Sequence, residues 1–585
     1  MITTTPTETS ERGLLHMHFA GKHGTAQSGA RSSREALLYG LSWAALCACA
    51  VCTFVYLRTH LAAYITSDDS AEMILARQLV DEGGILSRNW YYSTELRVLN
   101  LQLVYMPFFL IFKSWSAVRL AATVVWWVIL LLSLYYLCSE LDIRMWFPAI
   151  GCLFFLPAFT DSFTYLVTKL FYLPHLCITL VSVGLLLSFV KTSEKEESPA
   201  KDKGLAKGRS LAIGNSLAIK NPGLLLPALF LALAAGLGGQ RQILVLYLPL
   251  FLAMAVLAVL DAHSKKLLGD LDVSRLVKFS GLMLISATAG ALVNQKVLHG
   301  IYHFASFQVL KYRPLDFGRL QTVLAGWMTV YGYRAGKELV SVGVFYLCLF
   351  VLLFGLIVLA LADISHHPDD YSAQQVILSV FFVSAATVIT LLYCFSDAPS
   401  APRYLLPIST LAFPLIAVFL SRSHTLFEKE RIFVVVSVAM LLVVTSYSAG
   451  RAAWRGNNLQ KSDAASAALE AGYTQGYGSF WNADVLTELT DGRLEMWGLP
   501  DTRFDGVNDF SVFQWLQTVE HGSHTPDGPL FVIVSRSELS SASAQPKVVN
   551  PAFDNLGRDK VFYENDEYLL YGYQSFEELE ADAKE

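Results

Sequence analysis

LVSVGVFYLCLFVLLFGLIVLALA, residues 339–362, runs for 24 residues without one charged side chain. At about 1.5 Å of rise per helical residue, it is long enough to cross the roughly 30 Å hydrocarbon core of a bilayer. A helix apolar on every side must be surrounded by lipid or by other apolar helices. The rest of the chain repeats the pattern. Comparable stretches lie near Ala36–Leu57, Val118–Cys138, Trp146–Thr160, Leu170–Val190, Gly223–Gly238, Ile243–Leu260, Val277–Leu298, Gln375–Phe395, Tyr404–Leu420 and Ile432–Tyr447. With Leu339–Ala362 they predict a polytopic α-helical membrane protein of about eleven transmembrane helices.

Composition points the same way. Of 585 residues, 54% are hydrophobic and 16% charged, with a mean hydropathy of +0.44. That is more apolar surface than a soluble fold of this length buries. The formal net charge of −5 lacks the strong basic balance expected of a nucleic-acid binder. All eight cysteines fall in or beside apolar stretches, so they read as small buried hydrophobes, and no CxxC pair has the second half that a zinc ribbon needs.

Residues 1–35, rich in Ser, Thr and Gly, read as a disordered cytoplasmic tail with no signal-peptide core. Leu99–Phe112 is apolar but short, and it carries Gln102 and Pro107, so it reads as interfacial and not spanning. That choice sets the parity of the later segments. With the N-terminus inside, the basic loops Lys191–Lys220, His263–Lys278 and Arg422–Arg431 all fall on the cytoplasmic side. The outer face then receives a first loop at 58–117, shorter loops around Asp161–Lys169 and His299–Lys337, and the tail 448–585. In that tail, FVIVS (531–535) and VFYENDEYLLYGY (561–573) have strand content, while DAASAALEAG (463–472) is helical. The tail therefore reads as a small extracytoplasmic α/β domain following a transmembrane domain at 36–447.

Directly after the first span comes SDDSAEMILARQLVDEGG, residues 67–84. Ala71, Ile74, Leu75, Gln78 and Leu79 recur at helical spacing before a Gly83-Gly84 stop, which predicts an amphipathic helix at the membrane surface. Asp68, Asp69 and Glu72 share its first turns. Two readings stand side by side. Asp69 followed by Glu72 has capping-box spacing, and acids favour a helix N-terminus. Three carboxylates at a membrane boundary also suit general base work.

DDSAEMILARQLVDEGG resembles the bacterial membrane glycosyltransferases of the GT-C fold, including the aminoarabinose and protein mannosyl transferases. Further pieces carry the same resemblance. They are STELRVLNLQLVYMPFF (93–109), Val118-Arg119, GGQRQ (238–242), APRYLLP (401–407) and, in the tail, GYTQGYGSFWNADVLTELTDGRLEMW (472–497). The chain departs from many such proteins in having Asp69 where the acid pair is often Asp-Glu.

The resemblance implies transfer of a sugar from a polyprenyl-phosphate carrier to a cell-envelope glycan, lipid or protein acceptor at the outer face of the cytoplasmic membrane. Asp68 would be the general base, with Asp69 and Glu72 beside it. A divalent metal assists the departing phosphate in some members, and no residue set in this sequence identifies one. Arginine suits the anionic leaving group. Arg241 and Arg403 stand at the outer ends of spans, with Tyr404 beside the latter, and either arginine also fits a snorkelling role. Glu95 and Arg97 flank the interfacial segment, where they would close the site or simply pair with each other.

His299 and His303 have helical metal-pair spacing but no third ligand, and read as ordinary interfacial histidines. Lys311, Arg313 and Arg319 read as headgroup contacts. Competing functions are a transporter or flippase, and a polymerase, for lipid-linked saccharides. A transporter is expected to show repeated halves with broken helices, which the sequence lacks.

Overall fold

The computed structural model describes residues 24–94, 96–197, 222–263, 268, 271–305, 310–334, 343–422, 431–453, 459–500, 510–539 and 550–584. Among them, eight helices are long and apolar enough to cross a membrane: Ala36–Ala63, Trp115–Glu140, Leu173–Ser193, Ile243–His263, Val273–Gly300, Gly343–His366, Ala373–Phe395 and Pro402–Arg422. The first belongs to a helix that starts at Gly24, inside the stretch expected to be a disordered tail. Most of that tail, Glu95 and most of the Lys191–Lys220 loop lie outside the described residues.

Three expected spans take other forms. Trp146–Thr160 yields an eight-residue helix, Phe147–Phe154, which rises about 12 Å and so falls short of a bilayer core. Pro157 has no N–H with which to continue it. Average hydropathy does not register such a break. Pro222–Leu237 is a 16-residue apolar helix. Arg431–Ala453 is helical over 23 residues, with its apolar portion at Val438–Arg451. Leu99–Phe112 forms only the eight-residue helix Gln102–Phe109, which agrees with its reading as a segment that does not span. Leu110 and Ile111 beyond it are 76% and 68% exposed.

The helix after the first span runs Ser67–Glu82 and is called the acidic helix below. Gly83 ends it at φ +68, where its N–H reaches the Leu79 and Val80 carbonyls and that of Gly84 reaches Leu79. A left-handed residue at that position favours glycine. Ala71, Leu75 and Leu79 pack with Trp90, Tyr92 and Leu96, as the spacing predicts. The opposite face is buried too. Ser70, Met73 and Ala76 lie within the protein, so the helix is clamped between neighbours and does not rest on a lipid surface.

The C-terminal domain holds a five-stranded sheet in the order β4-β3-β6-β8-β7. Its strands are β3 Gln475–Ser479, β4 Glu495–Leu499, β6 Leu530–Ser535, β7 Val561–Glu564 and β8 Tyr568–Tyr573. β3 pairs in parallel with β4 and β6, and β8 runs antiparallel to β6 and β7. Side chains alternate across a strand. Thus Leu530, Val532 and Val534 enter one apolar layer, while Phe531 and Ile533 enter the other with Ala464 and Leu486. Burial on both faces explains why LFVIV reads as an unbroken apolar run.

This domain is built onto the membrane helices. β1 (Trp90–Tyr92) in the first loop pairs in parallel with β2 (His303–Phe304) and antiparallel with β5 (Gln517–Thr518) of the C-terminal domain. Three distant segments thereby form one small sheet. The helix Phe480–Leu489, between β3 and β4, lies against the acidic helix and is called the docking helix below.

Candidate functional site

Thr66 is the N-cap residue of the acidic helix, in extended conformation. Asp69 is therefore not the cap. Its carboxylate instead accepts a hydrogen bond from the Thr66 hydroxyl and lies 3.6 Å from Lys169 Nζ. Glu72, past the first turn, accepts from Asn100 Nδ2 at 2.8 Å and lies 3.8 Å from Arg97. Asp68 differs from both. It is half-buried, and no hydrogen bond or ion pair engages it among the described residues. Arg97, Arg403 and Lys169 are the charges that act on it.

Burial raises all three carboxyls above the ordinary carboxylate range, against the pull of these cations. Glu72 is pushed up to about 7. It therefore binds its proton more tightly in the folded chain than in the unfolded one. Its stabilising contribution is complete below about pH 4.5 and is lost as pH rises to about 7. Glu72→Gln should flatten thermal stability across that window, removing a pH-dependent change of up to about 3 kcal/mol. Melting temperatures measured from pH 4.5 to 7.5 check this. A variant that tracks the native protein throughout would show that Glu72 holds no such proton.

The cations are arranged by a chain reversal that the sequence did not advertise. A π-helical turn at Phe163–Thr168 leads into Leu170, which adopts φ +64, a conformation unusual for a side chain of this kind. The reversal lets Tyr172 N–H donate to the Tyr165 carbonyl at 3.2 Å, and the two rings meet at 5.9 Å. Tyr404 adds a third ring, 5.9 Å from Tyr172. Basic groups cover this wall. The Arg403 guanidinium lies 5.6 Å from Tyr165 and 5.3 Å from Tyr404, and that of Arg241 lies 5.5 Å from Tyr172 and 5.1 Å from Tyr404. Arg97 sits 4.7 Å over Phe171, and Lys169 is 5.9 Å from Tyr165. Aromatic faces hold cations by their quadrupole, and Arg241 and Arg403 also donate to the Tyr172 and Tyr165 hydroxyls at 3.5 and 3.4 Å.

Asp68, Arg97, Arg241, Arg403 and Tyr404 are thus brought to one place, with Asp69 and Glu72 directly behind. Glu95 lies outside the described residues. Tyr165, Lys169, Phe171 and Tyr172 belong to the site although the sequence reading did not select them. Their one signal was a lysine between closely spaced aromatics in a short loop.

Beside Glu72, a small cavity is lined by Trp90, Ser93, Arg97 and Gln102. Glu72 Oε2, Trp90 Nε1, Arg97 Nε and Gln102 Oε1 have no hydrogen-bond partner among the described residues. A hydroxyl group donates once and accepts twice, so it would satisfy both donors and one of the two acceptors. A second cavity of about 380 Å³ runs between Gln321–Thr329 and Ser400–Leu405, next to Arg403.

The C-terminal domain reaches the same place. Arg119, 2% exposed, makes a bidentate pair with Glu488 of the docking helix at 2.6 and 2.7 Å, and it also donates to the Asp69 carbonyl at 3.0 Å. Ser70 Oγ donates to Glu488 at 2.7 Å, Ser67 Oγ to the Phe480 carbonyl, and Trp115 N–H to Asp491 at 2.7 Å. The acidic helix is held rigidly from both sides.

The remaining candidates lie elsewhere. His299 stacks edge-on against Phe304, and His303 sits in β2 against Tyr91, so the two are not a pair on one helix. Arg319 donates to the Tyr393 and Ala398 carbonyls at 2.5 and 2.6 Å. It finishes a helix end. Among the described residues no group of three His, Cys, Asp or Glu side chains is placed to hold a metal ion. Compared with known protein families and with curated proteins, the chain matches none.

Proposed function

We propose that this chain is a GT-C type glycosyltransferase of a bacterial cytoplasmic membrane. It would move a sugar from a polyprenyl-phosphate carrier to a cell-envelope glycan, lipid or protein acceptor. The observation that carries the reading is Asp68, a carboxyl without a partner among the described residues, set among Arg97, Lys169 and Arg403 at the end of the membrane helices. A structural acid is normally paired or capping, as Asp69 and Glu72 are here. An acid kept free beside an anion-binding cluster fits a base waiting for a substrate proton.

In this reading, Asp68 takes the proton of an acceptor hydroxyl as its oxygen attacks the anomeric carbon. The carbon–oxygen bond to the carrier phosphate breaks, and the phosphate leaves with the electron pair. Arg403 and Arg241 meet the charge that develops on it. The cavity beside Arg403 suits the first units of an apolar carrier chain. With the N-terminus inside, the first span Ala36–Ala63 delivers the acidic helix to the outer face, and the C-terminal domain that packs on it lies on that face too. Contact between these two elements supports that parity, and the inside position of the basic loops agrees with it.

Arg403→Ala should weaken binding of polyprenyl phosphate by about 10- to 100-fold, because charge-assisted hydrogen bonds contribute about 1.5–3 kcal/mol. Arg403→Lys should restore binding only in part, since lysine keeps the charge and loses the planar fork. Titration of purified protein with polyprenyl phosphate measures both. Unchanged affinity in the alanine variant would make Arg403 a snorkelling residue and move the phosphate site elsewhere.

A further inference from the structure

Asp484 lies on the docking helix, one turn from both Phe480 and Glu488, the residues that accept hydrogen bonds from Ser67 and Ser70 of the acidic helix. It is 4% exposed, and its Oδ2 has no partner among the described residues. The charges pressing on it are Asp68 from the acidic helix and Glu488 from its own. Arg119, packed from the helix Trp115–Glu140, is already committed to Glu488 in a bidentate pair. On the remaining sides, Lys461 donates to the Trp481 carbonyl at 3.3 Å, and Glu495 of β4 is paired with His521 at 3.1 Å. Among the described residues no cation is left to neutralise Asp484.

We propose that Asp484 is a positioning residue for Asp68: it seats the C-terminal domain on the acidic helix as an uncharged carboxylic acid, and the seat loosens when it ionises. A buried carboxylate without a partner is costly, and one facing two further carboxylates costs more. The neutral acid avoids both penalties. Burial, followed by Asp68 and Glu488, holds its proton well above the ordinary carboxylate range. The sign follows by linkage. Released from the seat, Asp484 returns to an ordinary carboxyl, so the seated state binds one more proton. Seating is firmest below the ordinary range and weakens by up to tenfold per pH unit until the buried group ionises. That seating needs a proton does not depend on the transfer reaction; its consequence for Asp68 rests on the function proposed above.

The test is hydrogen–deuterium exchange on the full-length protein in nanodiscs. Protection of residues 67–79 and 480–489 is followed from pH 5 to 9 and corrected for intrinsic exchange. Lys461, whose ammonium burial lowers to about 8, titrates in the same window but is common to both proteins compared. Asp484→Asn should lose less protection than the native protein between pH 5 and pH 9 and be at least tenfold better protected at pH 9 in both segments. Asp68→Asn, which removes one of the pressing charges, should make the loss of protection at pH 9 smaller than in the native protein. Equal pH dependence in the native and Asp484→Asn proteins would overturn the proposal. So would an Asp484→Asn variant that is already loose or unfolded at pH 5, or an Asp68→Asn variant that loses as much protection at pH 9 as the native protein. Because no substrate is involved, these outcomes are independent of whether the chain transfers sugar.

Discussion

Asp68→Asn is expected to lower sugar transfer by a factor on the order of 10² to 10⁴ while leaving the fold intact. A general base needs an oxygen that can take a proton, and asparagine offers an acceptor of the same shape that cannot. The side chain makes no structural bond among the described residues, and Thr66 holds the cap position, so the substitution removes no support. Its neighbours separate the roles. Asp69→Asn weakens the contact to Lys169 and should cost stability as well as rate. Turnover with excess donor and thermal unfolding, measured on the same preparations, distinguish the two patterns. Should Asp68→Asn keep full activity while Asp69→Asn is inactive, the base is Asp69 and the pairing with Lys169 is part of its activation.

Glu488→Ala is expected to destabilise the protein by about 3–5 kcal/mol, the usual cost of leaving one member of a buried ion pair without its partner. Among the described residues, Arg119 would then be a buried cation with the Tyr105 hydroxyl and the Asp69 carbonyl as its remaining acceptors. Replacing both residues with leucine should cost far less than either single change, because no uncompensated charge remains. Thermal unfolding of the two singles and the double closes the cycle. If the double variant is as damaged as the sum of the singles, the pair is not coupled and the C-terminal domain is held chiefly by the β1–β5 pairing. The effect should extend to the site, since Arg119 also holds the backbone at Asp69.

Local signals in the sequence were read well. The Gly83-Gly84 stop, the helical spacing from Ala71 to Leu79 and the strands at 530–535 and 561–573 all depend on residues close in the chain. Arg403 and Tyr404 were legible because a charge at the end of an apolar run stands out. What was missed depends on tertiary structure. Lys169 and its tyrosines enter the site through a reversal at Leu170 that no residue type announces. The Arg119–Glu488 pair joins residues 369 apart in sequence. Asp69 looked like a cap by spacing, and the structure gives that position to Thr66 because the helix begins one residue before Asp68. At Trp146–Thr160 hydrophobicity counted for length, and Pro157 did not.

The central claim is that Asp68 and the basic aromatic wall around it transfer a lipid-linked sugar. Its most direct test is incubation of the purified protein and its Asp68→Asn variant with a panel of polyprenyl-phosphate sugars and polyprenyl-diphosphate-linked acceptors, followed by mass spectrometry. The account predicts that the native protein consumes one carrier, releases polyprenyl phosphate and yields an acceptor heavier by one sugar residue, and that the asparagine variant does so at a small fraction of the rate. Movement of the carriers across the membrane with every one of them chemically unchanged would contradict it and identify a transporter.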